Sequence, residues 1–379
     1  MVIKSLDLKN FRNFSNFKII FDSNLTVIIG PNGAGKSNIL EAISLASGIK
    51  SARVETDLDL VKFGRAEAKI VSTIQYPFEV QGSPRGFTLK GKPVSSILTI
   101  NFQVVDETLR QSSGQAYVKK AYFVDSIKKR LVDFIDYFSV VIFTPLDLEL
   151  VVGSPSLRRH HLDVLLSSLD RDYWRAISSY NKIVVRRNRV LLRIQERQAK
   201  PHELDFWDMR LLEHGEIVSK KREEFFEFLN FVEPTMSKVS RETQKWLSEL
   251  KWVLKQSLLN EEKLLRNRER DIAAGMTLSG PHRDDFQFMF GGKNLEYFGS
   301  RGQQRMAVLA LKLAELEYFA IKRGVRPVLA LDDIFSELDW EHREAVLAVV
   351  SKQQTIITAA ERESLPKEIF KAAKVEELV

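Results

Sequence analysis

No cysteine occurs among the 379 residues of this chain, which excludes a disulfide framework and any thiolate metal site. The same absence fits a reducing cytosol, so we expect a cytoplasmic protein. The start lacks the apolar core of a signal peptide, and no run approaches the roughly 18 apolar residues that cross a bilayer, so no membrane association is expected. With 44% hydrophobic residues, the chain can bury a sizeable core.

Acidic residues are outnumbered by basic residues, 50 against 57, which gives a formal net charge of +7 and a pI of about 9.3. This excess has two interpretations: an ordinary soluble surface that happens to be basic, or a surface that binds a polyanion such as nucleic acid. Only the position of the charge along the chain can separate the two.

A phosphate-binding loop lies near the start of the chain. Residues 30–37 match G-x-x-x-x-G-K-[ST], follow the apolar run at 25–29 and open a helical pattern. The glycines let backbone N–H groups face phosphate oxygens, the lysine brings a positive charge to the β- and γ-phosphates, and the serine hydroxyl can reach Mg²⁺. The predicted nucleotide contacts in this segment are Gly30, Pro31, Asn32, Gly33, Ala34, Gly35, Lys36, Ser37 and Asn38.

The acidic half of the same site is expected near the other end of the chain. An apolar run at 328–331 ends in Asp332 and Asp333, and Asp332 follows Lys36 by 296 residues (332 − 36). We predict Ser37 and Asp332 as Mg²⁺ ligands. Asp333 could orient or deprotonate the attacking water, so Lys36, Asp332 and Asp333 are the predicted catalytic residues. The alternative is that the two acids only cap a helix or form a turn.

Strand and helix signals divide the chain into three stretches. Residues 1–146 and 271–379 mix strand and helix patterns, whereas residues 147–270 are poor in glycine and proline and show helical periodicity. We therefore predict an α/β domain built from both ends of the chain and an inserted, mostly helical domain. Smaller predictions are a strand at 78–80, a turn at 81–86 and a helical stretch at 126–137. Four tryptophans of the insertion are predicted to pack in its core or between its helices, and not to form a ligand-binding box: Trp174, Trp207, Trp246 and Trp252.

A second glycine-rich turn, at residues 298–305, opens a long helical pattern. It resembles the signature loop of ABC-type ATPases, which binds a γ-phosphate with a serine hydroxyl and a helix N-terminus. The resemblance implies that Ser300, Gly302 and Gln303 contact nucleotide. In the ABC family this loop serves the nucleotide held by a partner's phosphate loop, so the resemblance also implies an ATP-dependent homodimer.

The remaining motifs resemble those of the RecF family of bacterial recombination mediators. Residues 8–14 look like the start of SMC-like repair ATPases, and the other motifs, in the order of the family, are 143–145, 153–155 with Arg158 and Arg159, 280–285 and 331–339. The resemblance spans residue 3 to about residue 360. It implies an ABC-type P-loop ATPase head assembled from both chain ends, with an inserted mostly helical second domain, and a nucleotide contact for Arg12.

The resemblance also implies a role: ATP- and Mg²⁺-dependent dimerisation on DNA, weak ATP hydrolysis, and help to the partner RecR in loading RecA at single-strand gaps, with links to replication restart and the SOS response. Residues 358–360 lack the histidine that senses a γ-phosphate in related ATPases, which favours slow turnover. Arg53 lacks the usual preceding aromatic residue, so we assign it no role. The open alternatives are a DNA clamp that uses ATP only to join a dimer, and another SMC-like ATPase.

One helical pattern places positive charge on a single face. Its basic residues follow each other at spacings of 4, 3, 4 and 4, and at about 100° per residue they share one stripe: Lys182, Arg186, Arg189, Arg193 and Arg197. We predict that this stripe follows a DNA backbone without reading sequence, on single strands, duplexes and gap junctions. The alternative is a solvated helix face. Residues 220–222 and 266–270 are weaker candidates because glutamates lie among or beside them, and His282 is predicted to hydrogen-bond within a turn.

Overall fold

The computed structural model describes residues 1–51, 53–77, 95–105, 116–231, 241–336 and 340–378. The predicted strand at 78–80, the turn at 81–86 and residues 337–339 of the acidic motif lie outside the described residues. The chain forms two compact units. The first comprises Met1–Asp147 and Val308–Val379, with a short segment that ends at Lys245; the second comprises Leu148–Glu233 and Trp246–Ala307.

The strands of the described residues are, in chain order, β1 (Val2–Phe11), β2 (Phe14–Ile20), β3 (Leu25–Ile29), β4 (Glu67–Gln75), β5 (Ser95–Val105), β6 (Tyr117–Val124), β7 (Ile127–Lys129), β8 (Val140–Phe143), β9 (Leu250–Lys255), β10 (Asp285–Phe290), β11 (Lys293–Asn294), β12 (Val328–Asp332), β13 (Thr355–Ala359) and β14 (Lys374–Glu377). The α-helices are α1 (Lys36–Ala46), α2 (Leu131–Phe134), α3 (Glu149–Val152), α4 (Pro155–Leu169), α5 (Arg171–Gln195), α6 (Asp205–Phe231), α7 (Arg241–Glu249), α8 (Glu261–Ala274), α9 (Leu295–Phe298), α10 (Arg301–Arg323), α11 (Trp340–Val350) and α12 (Lys367–Ala372).

The first unit contains two sheets. Within the described residues, a five-stranded parallel sheet has the order β14-β3-β13-β12-β8, and a six-stranded antiparallel sheet has the order β2-β1-β4-β5-β6-β7. Helix α1 packs against strands of both sheets. Strands β3, β12 and β13 are buried throughout, as expected for central parallel strands covered on both faces.

The second unit is built around the paired helices α5 and α6, against which α4 and α8 pack. Helix α5 begins at Arg171 because the Asp170 carboxylate caps it, accepting hydrogen bonds from the N–H groups of Asp172 (2.8 Å) and Tyr173 (3.1 Å). A small sheet of order β11-β10-β9 completes this unit among the described residues. None of the helices in the described ranges is long and apolar enough to span a membrane.

Three features differ from the sequence-based predictions. The second unit extends to Ala307 and not to residue 270, because β10 pairs along its whole length with β9. Strand β9 interrupts the predicted helical stretch; Trp252 lies in this strand and is buried, as predicted for a core residue. Between residues 126 and 137 the chain forms strand β7 and then the single-turn helix α2.

Candidate nucleotide-binding site

The phosphate loop connects β3 to α1 in the first unit. Gly35 caps the helix with φ +105° in the left-handed region, where a side chain is strained. A Cβ atom at Gly35 would also lie only 2.6 Å from Cζ of Phe14. The strand–loop–helix context predicted from the sequence is therefore present, and glycine is required at Gly35 for both reasons.

Lys36 places its ammonium group within the curve of the loop. Its Nζ donates hydrogen bonds to the backbone oxygens of Gly30 (2.6 Å) and Pro31 (3.0 Å), and the side chain is buried. A fixed positive charge surrounded by the loop and by the first turn of α1 suits a polyphosphate.

The predicted acidic residue Asp332 lies beside the phosphate loop. It ends β12, and β13 separates β12 from β3 in the parallel sheet, so the carboxyl ends of β3 and β12 share one edge. The hydroxyl of Ser37 lies 3.0 Å from Oδ1 of Asp332. Ser37 and Asp332, the two predicted Mg²⁺ ligands, are thus in direct contact although 295 positions separate them in the sequence.

The oxygens of Ser37 and Asp332 fit Mg²⁺. Magnesium prefers oxygen ligands, and it commonly takes one or two from the protein and the others from phosphates and water. Within the described residues, no group of three or more His, Asp or Glu side chains could form a separate metal cage. A magnesium ion at this pair would therefore depend on the nucleotide for further ligands.

Asp333 follows directly and has an unusual backbone. Its φ of +51° lies in the left-handed region, which a non-glycine residue rarely occupies without a structural or functional reason. Its N–H contacts both the backbone oxygen (3.2 Å) and Oγ1 (3.1 Å) of Thr358. The strained conformation is therefore fixed by the hydrogen bonds that the Asp333 N–H donates to β13.

Thr358 is a site residue that the sequence did not reveal. Its hydroxyl donates to Oδ1 of Asp332 (2.7 Å), the same oxygen that Ser37 contacts, and accepts from the N–H of Asp333. The available signal was a hydroxyl residue at the end of a buried strand, but nothing in the sequence shows that β13 adjoins β12.

Arg12 contacts the phosphate-loop helix through an acidic residue. Its Nε and Nη2 bind the two oxygens of Glu41 on α1 at 2.7 and 2.6 Å, and Nη1 donates to the backbone oxygen of Asp59 (3.0 Å). The guanidinium predicted to contact nucleotide is thus held by Glu41. Arg53, to which the sequence assigned no role, lies 3.1 Å from Oδ1 of Asn38 and 3.9 Å from Glu41.

The turn between β1 and β2 braces the phosphate loop. Asn13 donates to the backbone oxygen of Ala34 (3.2 Å), and its own Oδ1 accepts from Asn38 (2.9 Å). The motif at residues 8–14 therefore has a physical role beside the nucleotide site, which explains why it accompanies a phosphate loop.

In the second unit, Ser300 caps α10. Its Oγ accepts from the N–H of Gln303 (3.3 Å), and its N–H donates to Oε1 of Gln303 (2.9 Å), which is a reciprocal capping arrangement. Ser300 is exposed and Gly302 is half-buried. The hydroxyl hydrogen of Ser300 remains free to donate, so Ser300 and the N-terminus of α10 form a group suited to an anion.

The predicted basic stripe is exposed along α5, with Arg186 packed 5.7 Å from the ring of Trp207. Ile183, Val190 and Leu191 face the core. Arg197 does not lie on this helix, contrary to the prediction. Helix α5 ends at Gln195, and Arg197 has φ +61° where Gln198 N–H returns to the oxygen of Arg193 (2.7 Å), so the helix is closed before Arg197.

In each of the two weaker basic segments, one arginine is already paired with acids. Arg222 is only 1% exposed and pairs with Asp163 and Asp284, each at 2.7 Å. Arg268 contacts Asp205 and Asp208, also at 2.7 Å. Since their charges are already neutralised, these residues stabilise the second unit and are poor phosphate contacts.

His282 makes the predicted local hydrogen bond and also contacts a tyrosine of α5. Nδ1 lies 2.8 Å from the Tyr180 hydroxyl and Nε2 lies 2.9 Å from the backbone oxygen of Thr277. Burial holds the pKa of His282 below its ordinary value of 6.5. A neutral ring that donates from Nε2 and accepts at Nδ1 satisfies both contacts, so the geometry is structural.

The phosphate loop and the acidic strand end lie at one edge of a parallel sheet, and an antiparallel sheet packs on helix α1. Together with the serine-capped helix α10, these features define an ABC-type P-loop ATPase head. The family described as "RecF/RecN/SMC N terminal domain" matches residues 2–376. The DNA replication and repair protein RecF of Moorella thermoacetica is 35% identical over 381 residues, covering 99% of this chain and 94% of that protein. The chain therefore belongs to the RecF family.

Other comparisons agree with this assignment. The DNA replication and repair protein RecF of Agathobacter rectalis is 34% identical over 376 residues, covering 99% of this chain and 96% of the relative. A solved structure described as the recombination mediator protein RecF-ATPrS in the RecFOR pathway superposes with a TM-score of 0.78 at 28% identity, covering 96% of this chain and 94% of that one. A RecF-ATP structure gives 0.76 at 29% identity, with 96% and 93% covered.

Proposed function

We propose that this protein is an ATP-dependent DNA-binding protein of recombinational repair. ATP joins two copies of the chain on DNA, and slow hydrolysis releases them. The contact of 3.0 Å between Ser37 and Asp332 carries the proposal, because it joins the phosphate loop to a carboxylate from the far end of the chain. Relatives named for DNA replication and repair and a solved RecF-ATP structure support it.

In the nucleotide-binding step, the phosphate loop and Lys36 hold the β- and γ-phosphates of ATP. Ser37 and Asp332 would hold Mg²⁺, which supplies positive charge to the phosphate oxygens when bound. Asn13 and the pair of Arg12 with Glu41 keep the loop and α1 in place. Binding therefore requires little rearrangement of this chain's own residues.

In the hydrolytic step, Asp333 orients a water molecule and accepts its proton. Thr358 fixes the backbone of Asp333 and the carboxylate of Asp332 with the same hydroxyl group. Ala359 and Ala360, which follow, bring no imidazole to the γ-phosphate. We therefore expect slow turnover, suited to timed release and not to sustained work.

Ser300 of a second copy completes the set of contacts to the γ-phosphate. An exposed serine that caps a helix and keeps a free hydroxyl hydrogen suits this contact, as in ABC-type ATPases. ATP then serves as part of the interface, so dimerisation depends on nucleotide.

The DNA backbone lies along Lys182, Arg186, Arg189 and Arg193, which are exposed on one face of α5. Because these side chains would contact phosphates, which carry no sequence information, we expect binding that does not depend on base sequence. The assistance to RecR in loading RecA at single-strand gaps, and the links to replication restart and the SOS response, are supported by family membership alone.

The substitution Asp333→Asn tests the coupling of hydrolysis to release. It keeps the size of the side chain but removes the base, so we expect hydrolysis to fall by about 10²- to 10⁴-fold while ATP binding is retained. DNA complexes formed with ATP should then persist as they do with a non-hydrolysable analogue. The measurements are ATP turnover and the DNA dissociation rate with ATP, ADP and the analogue.

Asp22→Asn is a matched control, because Asp22 is an exposed acid of the first unit that lies outside the phosphate loop and outside α5. If Asp333→Asn stops hydrolysis but DNA still leaves at the wild-type rate, the enzyme interpretation fails. The protein would then be a structural DNA clamp in which ATP only joins the dimer, an alternative that the missing histidine favours.

A further inference from the structure

Two large aromatic side chains, three and two residues before Ser300, are exposed to solvent. Tyr297 is 72% exposed and Phe298 is 71% exposed, and both belong to the short helix α9. Single exposed apolar residues are common on protein surfaces, but adjacent exposed aromatics beside a functional group indicate an interaction site. Neither residue contributes to the core of its own unit, so their positions call for another explanation.

Helix α9, which carries the aromatic pair, is held in place by hydrogen bonds and close packing. Leu295 of α9 is buried, and its backbone oxygen accepts a hydrogen bond from Nε2 of the buried Gln304 on α10 (2.8 Å). Asn294 caps α9 by accepting from the N–H of Glu296 (3.0 Å). At Gly299 an added Cβ would lie 2.7 Å from the same oxygen of Leu295. Residues 294–304 therefore form one preorganised block that contains Ser300.

Helix α3 extends the apolar surface. It packs against α9 within the second unit, and its last residue, Val152, is 40% exposed. We define the aromatic patch as Val152, Tyr297 and Phe298. Its residues come from two helices in contact, so the patch is a local surface and not a single protruding side chain.

We propose that the aromatic patch is the apolar anchor of the nucleotide-dependent interface with a second copy of this chain. The inference rests on the proposed function, in which Ser300 contacts the nucleotide of the other copy. Consecutive Cα atoms lie about 3.8 Å apart, so Phe298 is within about 8 Å of Ser300. A surface that brings Ser300 to the partner's nucleotide must also cover Phe298 and its neighbours.

The available area fits such an anchor. A buried aromatic side chain covers about 150–250 Å², so two that are nearly three-quarters exposed can bury roughly 200–350 Å². A stable interface buries about 800 Å² on each partner. The pair would thus supply about a third of the surface, at the apolar centre where tyrosine and other aromatics dominate binding.

The charges around the patch favour a protein partner over DNA. The Glu296 carboxylate hydrogen-bonds to Tyr297 and raises the pKa of its phenol. Arg301, on the other side of Ser300, is exposed and carries the opposite charge. One acid and one base flank the patch, whereas a phosphate-binding surface would be uniformly positive.

The double variant Tyr297→Ser/Phe298→Ser tests the proposal. We expect ATP-dependent dimerisation to weaken by at least about thirtyfold, as for aromatic hot spots, because the apolar centre is lost. Binding of ATP to the monomer should be unchanged, since the phosphate loop is untouched. Light scattering across a concentration series gives the dimer dissociation constant, and titration with a fluorescent ATP analogue gives nucleotide affinity.

Phe206→Ser is the matched control, because Phe206 is 58% exposed on α6 in the same unit and lies outside the patch. A double variant that dimerises like the wild type, while Ser300→Arg does not, overturns the aromatic anchor and leaves the proposed function standing. Normal dimerisation of Ser300→Arg as well removes the proposed function itself. A loss of DNA affinity with dimerisation intact assigns the patch to DNA and also overturns the inference. If the double variant fails to fold, the two single variants are judged by the same dissociation constants.

Discussion

Thr358 connects the two acidic residues of the candidate nucleotide site through one hydroxyl group. Its Oγ1 lies 2.7 Å from Asp332 Oδ1 and 3.1 Å from the N–H of Asp333. The first contact orients a predicted metal ligand, and the second stabilises the strained backbone of a predicted catalytic base. At the scale of single residues, therefore, the geometry of the acidic pair depends on a neutral side chain.

Replacing this hydroxyl should separate hydrolysis from nucleotide binding. Thr358→Val keeps the shape but removes about 1–2 kcal/mol of hydrogen bonding, so we expect ATP turnover to fall by roughly five- to thirtyfold. Affinity for ATP should change by less than about threefold, because the phosphate loop supplies most contacts. Steady-state turnover and nucleotide titration measure the two effects.

Thr358→Ser is the control for this substitution, since it retains the hydroxyl and should keep most of the turnover. Wild-type turnover in Thr358→Val would show that Asp332 and Asp333 hold their positions without the hydroxyl. The positioning role of Thr358 would then be wrong.

Helix α5 shows how one element serves two purposes. Its inner face includes Arg187, which is fully buried and pairs with Asp208 and Asp271, each at 2.7 Å. Its outer face exposes Arg186 and Arg189, between which Arg187 lies in sequence. The 3.6-residue period of the helix separates structural arginines from those available to a ligand.

The salt dependence of DNA binding tests the role of the outer face of α5. Replacing Arg186, Arg189 and Arg193 with alanine should reduce DNA affinity about 10- to 100-fold in moderate salt, because up to three phosphate contacts are lost. The slope of log affinity against log salt should become shallower by about three. Fluorescence anisotropy with a gapped duplex at several salt concentrations gives both quantities.

An equal removal of charge elsewhere provides the comparison. Lys9, Lys18 and Arg362 are exposed in the first unit and each pairs with a surface acid, so replacing all three with alanine should leave the slope nearly unchanged. If the α5 variant keeps both the affinity and the slope of the wild type, the basic stripe is an ordinary solvated face and DNA binds elsewhere.

At the scale of the whole molecule, the proposed assembly requires two copies for each complete nucleotide site. Lys36 and Ser300 contribute to one site from different chains in this arrangement. Such sharing has a specific consequence: two defective chains can complement each other if each supplies the part that the other lacks.

Mixing Lys36→Ala with Ser300→Arg should therefore restore an ATP-dependent dimer, although neither variant dimerises alone. The mixed pair retains one intact site, formed by Lys36 of one chain and Ser300 of the other, so the dimer should be weaker than the wild type. Light scattering of the separate and mixed proteins with ATP measures the restoration. A mixture of Lys36→Ala with the double variant Lys36→Ala/Ser300→Arg has no intact site and should stay monomeric, and the same result for the first mixture would contradict sharing between chains.

Local patterns in the sequence determined the phosphate loop, the acidic strand end and the serine-capped helix. Each depends on neighbours within a few residues: an apolar run before Gly30, Asp332 at the end of a buried run, and a glycine-rich turn around Ser300. Their order also indicated the family, which the similarity to RecF proteins confirms. These features could be predicted because strand, loop and helix cap are short-range structures.

Only the tertiary structure decided which distant residues meet. It joined Thr358 to Asp332 and Asp333, paired Arg12 with Glu41, and buried Arg222 between two acids. It also ended α5 before Arg197 and joined β9 to β10. Strand order and ion pairing depend on contacts between residues far apart in the chain, for which the sequence of a single protein carries no local signal.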